Sequence, residues 1–152
     1  MFPKLNLPEY QLKIKETEKG FSVFDIIRKK YILMTPEEHV RQQFIHFLIQ
    51  EKQYPKGLLA VEKQLKIFDK TKRTDIVLYD KQGNVSIIVE CKAPEVKISQ
   101  DAFDQIARYN MNFKAEYLIV TNGLDHYCCK PNYDDNSYAF LKDIPDYQIL
   151  TK

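Results

Sequence analysis

Two apolar runs with a turn between them constrain this chain more than any other feature. Ile76-Val77-Leu78-Tyr79 and Val85-Ser86-Ile87-Ile88-Val89 flank Asp80-Lys81-Gln82-Gly83-Asn84. The β-branched content and Gly-containing turn predict antiparallel strands over 74–79 and 85–91. Near-continuous apolar character predicts that both faces are covered. With the turn centred between Gln82 and Gly83, opposed residues have numbers that sum to 165. Leu78 then faces Ile87, Asp80 faces Val85 and Asp75 faces Glu90.

Helices must cover such a sheet. Thr35 as N-cap, Pro36 in the first position and Glu37 and Glu38 in the first turn predict a helix that stops near Gln53. Val40, Phe44, Phe47 and Leu48 form its core stripe, widened by Ile45 and Ile49. Ser99 caps a second helix to about Phe113, with Phe103, Ile106 and Ala107 on one side. Between the two helices, 58–68 reads as a strand followed by a basic turn. Residues 116–121 and 126–129 read as further strands, and 21–34 as short strands or a strand and a turn. The strand, helix, strand order requires a crossover, so the fold class is α/β, a mixed sheet flanked by helices. Pro3, Pro8 and many charged residues make 1–20 an extended arm, and 1–152 reads as a single domain.

The 152 residues are long enough to bury a core without disulfides. Cys91, Cys128 and Cys129 are odd in number, with two adjacent, which predicts reduced thiols. His126 with Cys128 and Cys129 lacks a fourth ligand at zinc spacing, so structural burial is preferred there. No run approaches the ~20 apolar residues of a membrane span, and the amino terminus lacks a signal-peptide layout. A cytoplasmic location is the expectation. Twenty-three Lys and Arg against 21 Asp and Glu leave a net charge of only +2. The basic residues nevertheless cluster at Arg28-Lys29-Lys30 and at Lys70, Lys72 and Arg73, as phosphate contacts would.

The register places the carboxylates of Asp75 and Glu90 on one face with Cβ atoms ~5 Å apart, and Lys92 follows Glu90 on that face. Opposed carboxylates in a half-buried place repel, which protonation or a cation relieves. Oxygen ligands of this hardness select Mg²⁺ or Mn²⁺. Such a site suits phosphodiester hydrolysis, with Lys92 orienting or deprotonating water or stabilising transition-state charge. A plain strand-to-strand ion pair of Asp75 with Lys92 is the simpler alternative.

Asp75 followed by Glu90-Cys91-Lys92 across a hairpin resembles the PD-(D/E)XK nuclease signature. The chain from roughly Arg28 to Cys129 resembles the amino-terminal nuclease domain of type I restriction enzyme R subunits. The similarity is carried by Thr35-Pro36-Glu37-Glu38, Val40-Arg41-Gln42, Lys72-Arg73-Thr74-Asp75-Ile76-Val77, Glu90-Cys91-Lys92-Ala93-Pro94 and Gln105-Ile106-Ala107-Arg108-Tyr109, in that order. The last resembles the QxxxY element of RecB-like nucleases. The resemblance implies a restriction-endonuclease-like core and a metal-dependent deoxyribonuclease acting on DNA with other restriction or defence subunits. It implies catalytic Asp75, Glu90 and Lys92, and metal ligation by Asp75, Glu90 and the Cys91 main-chain carbonyl. Gln105, Tyr109, Lys72 and Arg73 would support the site or touch substrate.

Of the two helix glutamates, Glu38 has an ordinary role in a capping box with Thr35, so Glu37 is preferred as an auxiliary acid at the metal. No GxxxxGK[ST] loop occurs, so the ATP-driven motor of R subunits is not expected here. That departure motivates an alternative, a non-catalytic nucleic-acid-binding or protein-docking module of a restriction system.

Overall fold

The structure, a computed structural model, describes residues 2–150. Strands β1 (Ile14–Thr17), β2 (Gly20–Asp25) and β3 (Lys30–Leu33) form an antiparallel sheet ahead of helix α1 (Pro36–Gln50). Then come β4 (Leu59–Val61), β5 (Gln64–Ile67), β6 (Lys70–Arg73), β7 (Ile76–Tyr79) and β8 (Val85–Cys91). Helix α2 (Gln100–Asn110) crosses to β9 (Tyr117–Thr121), followed by β10 (His126–Asn132), β11 (Ser137–Leu141) and the short α3 (Tyr147–Leu150). The central six-stranded sheet has the order β11-β10-β9-β8-β7-β4. Only its β8–β9 pair is parallel, which is the crossover that α2 makes. This is the mixed sheet with flanking helices of a restriction-endonuclease-like core.

Each face of the sheet has its own core. Ile76, Leu78, Ile87, Val89 and Ile119 pack with Val40, Phe44, Ile45 and Leu48 of α1. Val77, Ile88, Leu118 and Val120 pack with Phe103 and Ala107 of α2. This two-sided cover explains why β7, β8 and β9 are nearly all apolar. Burying a side chain such as Phe44 contributes about 1.5–3 kcal/mol, so α1 is held by its apolar stripe more than by intrinsic propensity.

The hairpin register follows the expected sum from Ile76–Val89 to Leu78–Ile87 and then shifts by one. Tyr79, not Asp80, lies opposite Val85. Asp80 is drawn into the turn instead: its carboxylate accepts from the Gln82 and Asn84 N–H groups, each at 2.9 Å.

The stretch 58–68 is not one strand. Glu62 adopts a left-handed φ of 54°, and its N–H donates to the Asp75 carbonyl at 3.0 Å. There the chain leaves the central sheet, and β5 pairs with β6 as a separate hairpin. The basic segment expected as a turn is therefore a strand, and the turn is Phe68-Asp69.

Within the stretch read as an arm, Ile14–Thr17 pairs with β2, and Leu5 is buried against the β9–β10 turn. His39 and His46 of α1 are half-buried beneath this segment. Phe2 stacks on His39 with centroids 5.1 Å apart, and Tyr10 lies 6.0 Å from His46.

Candidate active site

Asp75 stands immediately before β7, where the chain enters the central sheet. Its Oδ2 accepts from the Cys91 N–H at 2.7 Å and its Oδ1 from Arg41 Nη2 at 2.8 Å. Burial raises the Asp75 pKa. The Cys91 N–H and the Arg41 charge pull it back, Glu90 pushes it up again, and the net shift is upward. The acids at 75 and 90 thus act on one another electrostatically, as neighbours in one site do.

Glu90, near the end of β8, is held by two ammonium groups: Lys72 Nζ at 2.8 Å from Oε1 and Lys92 Nζ at 3.4 Å from Oε2. Lys92 stays one-third exposed, and its backbone N–H donates to the Thr121 carbonyl at 2.8 Å. Glu37 sits at the rim with a half-exposed carboxyl, 3.5 Å from Arg41. Its pKa is raised by burial first and by Asp75 second, and it also feels Lys92 and Glu90. Asp75, Glu90, Lys92 and Glu37 therefore share one electrostatic neighbourhood at the open end of the β7–β8 hairpin.

The supporting residues divide. Tyr109 reaches the site indirectly: its hydroxyl donates to the Thr71 carbonyl at 2.8 Å, and Lys72 lies 5.8 Å from its ring centroid. It holds β6, and β6 delivers Lys72 to Glu90. Gln105, one turn earlier, is exposed on α2. Arg73 is largely exposed, with Nη2 2.5 Å from Glu62 Oε2. Arg28, expected among phosphate contacts, is instead only 13% exposed, ion-paired to Asp25 at 2.6 Å and Glu38 at 2.9 Å. Lys29 and Lys30 beside it do face solvent.

Arg41, which the sequence marked only as part of a matching motif, ties the acids of this region together. Its guanidinium contacts Glu38, Glu62, Asp75 and Glu37 together. Behind it, Gln42 donates to both Asp25 and Glu38 at 2.9 Å. The spacing of Glu38 to Arg41 and Gln42, three and four residues, was the legible signal. The capping box is only half made. Thr35 Oγ1 accepts from the Glu38 N–H at 3.0 Å, while the Glu38 carboxylate turns to Arg28, Arg41 and Gln42.

The donor set of Asp75 and Glu90 consists of hard oxygens that repel one another, which fits Mg²⁺ or Mn²⁺ better than a softer ion. Among the described residues no three of His, Cys, Asp and Glu make a ready cage. Two carboxylates suffice for Mg²⁺ when substrate phosphates and water complete its shell. Cys91 is a fully buried thiol, pushed well above its ordinary pKa by burial, which keeps its side chain from serving as a thiolate ligand. Cys128 and Cys129 are buried thiols pushed up to about 12 by burial.

The family model described as the type I restriction enzyme R protein N terminus matches residues 36–145. The chain belongs to this family. In this R-protein N-terminal domain the match begins at the first residue of α1 and passes β11, so it spans α1, α2 and the whole six-stranded sheet. Strands β1 to β3 lie outside it, yet Asp25 and Arg28 from that region bond into the ion cluster behind Asp75. No curated protein matches the chain. Among the described residues, no helix is long and apolar enough to cross a membrane.

Proposed function

We propose that this chain is a Mg²⁺- or Mn²⁺-dependent nuclease domain that hydrolyses phosphodiester bonds in DNA within a restriction system. The observation that carries the reading is geometric: Asp75 accepts from the Cys91 N–H at 2.7 Å, next to Glu90, whose carboxylate lies 3.4 Å from Lys92 Nζ. Family membership supports the restriction and nuclease context.

Asp75 and Glu90, with the Cys91 carbonyl, would hold the ion. When bound, the ion supplies Lewis-acid activation and neutralises phosphate charge. Lys92 is the group left to act on water or on the developing negative charge, and its partial exposure leaves it within reach of substrate. Glu37 at the rim is the auxiliary acid, and Arg41 fixes the Asp75 carboxylate against rotation. Tyr109 holds β6, and the exposed Gln105 and Arg73 would be free to touch substrate. Lys72 now occupies a lone pair of Glu90, so ion binding there exchanges one cation for another.

The test is incubation of purified protein with plasmid and linear DNA plus Mg²⁺ or Mn²⁺, beside Asp75→Ala and Lys92→Ala. Cleavage by the wild type that both substitutions abolish supports the assignment. Equal nicking by all three proteins sinks it.

One observation favours a second reading, a non-catalytic docking module. Arg41, Lys72 and Lys92 already balance both carboxylates, as they would in a site with no ion to hold. That reading predicts DNA or protein binding with neither turnover nor metal affinity.

A further inference from the structure

The β5–β6 hairpin ends in a feature that local structure does not require. Phe68 is the first residue of its two-residue turn and has a φ of 51°. A left-handed turn position favours Gly, Asn or Asp, because a Cβ there crowds the backbone. The Phe68 side chain gains nothing in packing for that strain, since it is 92% exposed. Among the described residues Phe140, the next most exposed large apolar side chain, is at 48%. A strained, solvated aromatic at a hairpin tip breaks both a turn rule and a burial rule, and such double breaks point to a role in binding.

The surroundings say what would bind. Between the hairpin and the end of α2 lies a cleft of about 440 Å³ lined by Phe68, Asp69, Lys70, Arg108 and Lys114 among others. Lys70, Arg108 and Lys114 are exposed in its lining, where Asp69 is the carboxylate, and Asp134 and Asp135 occupy the β10–β11 turn between the lining residues Tyr133 and Asn136. Within the lining itself three cations stand against one carboxylate, a local excess of positive charge. An apolar protein partner would not need such a ring of cations. A polyanion with flat apolar faces does, and a nucleic-acid strand offers both. The hairpin also leads towards the site already described. Lys72, on the same strand as Lys70, touches Glu90, and the tip stands roughly 13 Å further along at ~3.3 Å per residue.

We propose that the tip of the β5–β6 hairpin is a base-stacking contact for nucleic acid. Phe68 lies against an unstacked base, and Lys70, Arg108 and Lys114 hold the adjoining phosphates. This deepens the nuclease reading and rests on its nucleic-acid part. The base is exposed either because the strand is single or because a duplex is kinked at the contact. Both present the same ring face.

The full chain should be titrated, in EDTA to prevent cleavage, with a single-stranded oligonucleotide and a duplex of the same sequence. Each carries 2-aminopurine and a label for anisotropy. The wild type should bind and quench the reporter base. Phe68→Gly should bind about tenfold or more weakly and lose the quenching, while its melting temperature rises because glycine relieves the turn. Phe68→Trp should keep both affinity and quenching. Loss confined to one substrate still supports the contact and shows whether the exposed base belongs to a single strand or a kinked duplex.

Wild-type affinity and quenching in Phe68→Gly would overturn the stacking contact and leave the nuclease reading standing. No binding of either DNA by the wild type would remove both together. Self-association abolished by Phe68→Gly, with DNA binding unchanged, would assign the ring to a second copy of the chain and overturn the proposal.

Discussion

Arg41 Nη2 lies 2.8 Å from Asp75 Oδ1, and through the same guanidinium Asp75 is tied to Glu38, whose Oε1 is 2.7 Å from Nη1. A helix residue thus sets the orientation of an acid at the mouth of the sheet. The tie runs on through Glu38 to Arg28 and Asp25, beyond the span of the family match. Charges buried in this way stabilise only as a set, and removing one leaves the others uncompensated.

Arg41→Ala should therefore cost about 3–5 kcal/mol of stability. Arg41→Lys should recover only part, because one ammonium cannot reproduce the planar fork that reaches Glu38 and Asp75 together. Urea unfolding of the three proteins measures this. A loss under 1 kcal/mol in Arg41→Ala, the scale of a surface pair, would show that the cluster is not a structural unit.

Asp25 gives the cluster a pH signature. Burial alone would raise its pKa, but bonds from Arg28, Gln42 and Ile27 outweigh burial and the net shift is downward from 3.8. A depressed folded pKa contributes stability that is present above the unfolded value and is lost as pH falls through the folded one. Wild-type stability should fall as pH drops below about 4. Asp25→Asn should be less stable at pH 7 and show a shallower fall. Parallel acid-unfolding curves for the two proteins would refute this.

Gly123 is the second structural test. It has a φ of 87°, and a Cβ there would stand 2.7 Å from Leu5 Cδ2 and 3.1 Å from Val40 Cγ2. Gly123→Ala should destabilise by about 1–3 kcal/mol through backbone strain and overpacking. In the Leu5→Ala background the overpacking part should shrink and the strain part remain. A fully additive double mutant would show that Leu5 does not seat on this turn.

Much of this architecture is legible in the sequence, because hydrophobic periodicity reports what packs on a sheet. The apolar runs of β7 and β8 show two-sided cover, and Thr35-Pro36 marks the start of α1 to the residue. Asp75, Glu90 and Lys92 stand out as candidates for a related reason: charge at the end of an apolar strand is conspicuous. The departures have other causes. The break at Glu62 is a backbone conformation that its side chain does not announce. Arg28 looks like one of three surface cations until β2 and α1 close around it with Asp25 and Glu38. Lys72 and Arg73 look equivalent, yet strand alternation sends Lys72 to Glu90 and leaves Arg73 at the surface.

On the proposed reading, Lys72 competes with the ion for Glu90. Lys72→Ala should raise Mn²⁺ affinity about two- to fivefold, the scale of one partly exposed ion pair. Because an ion bound only by the folded chain stabilises it, the Mn²⁺-induced rise in melting temperature should be larger in the variant at subsaturating metal. An unchanged rise would mean that Lys72 and the ion do not share the carboxylate.

Calorimetric titration of the wild type, Glu90→Gln and Lys92→Ala with Mn²⁺ tests the central claim most directly. The account predicts binding in the wild type, its loss in Glu90→Gln, and its retention in Lys92→Ala, whose contribution is to chemistry rather than to ligation. No heat of binding in the wild type, or equal binding in wild type and Glu90→Gln, would contradict it.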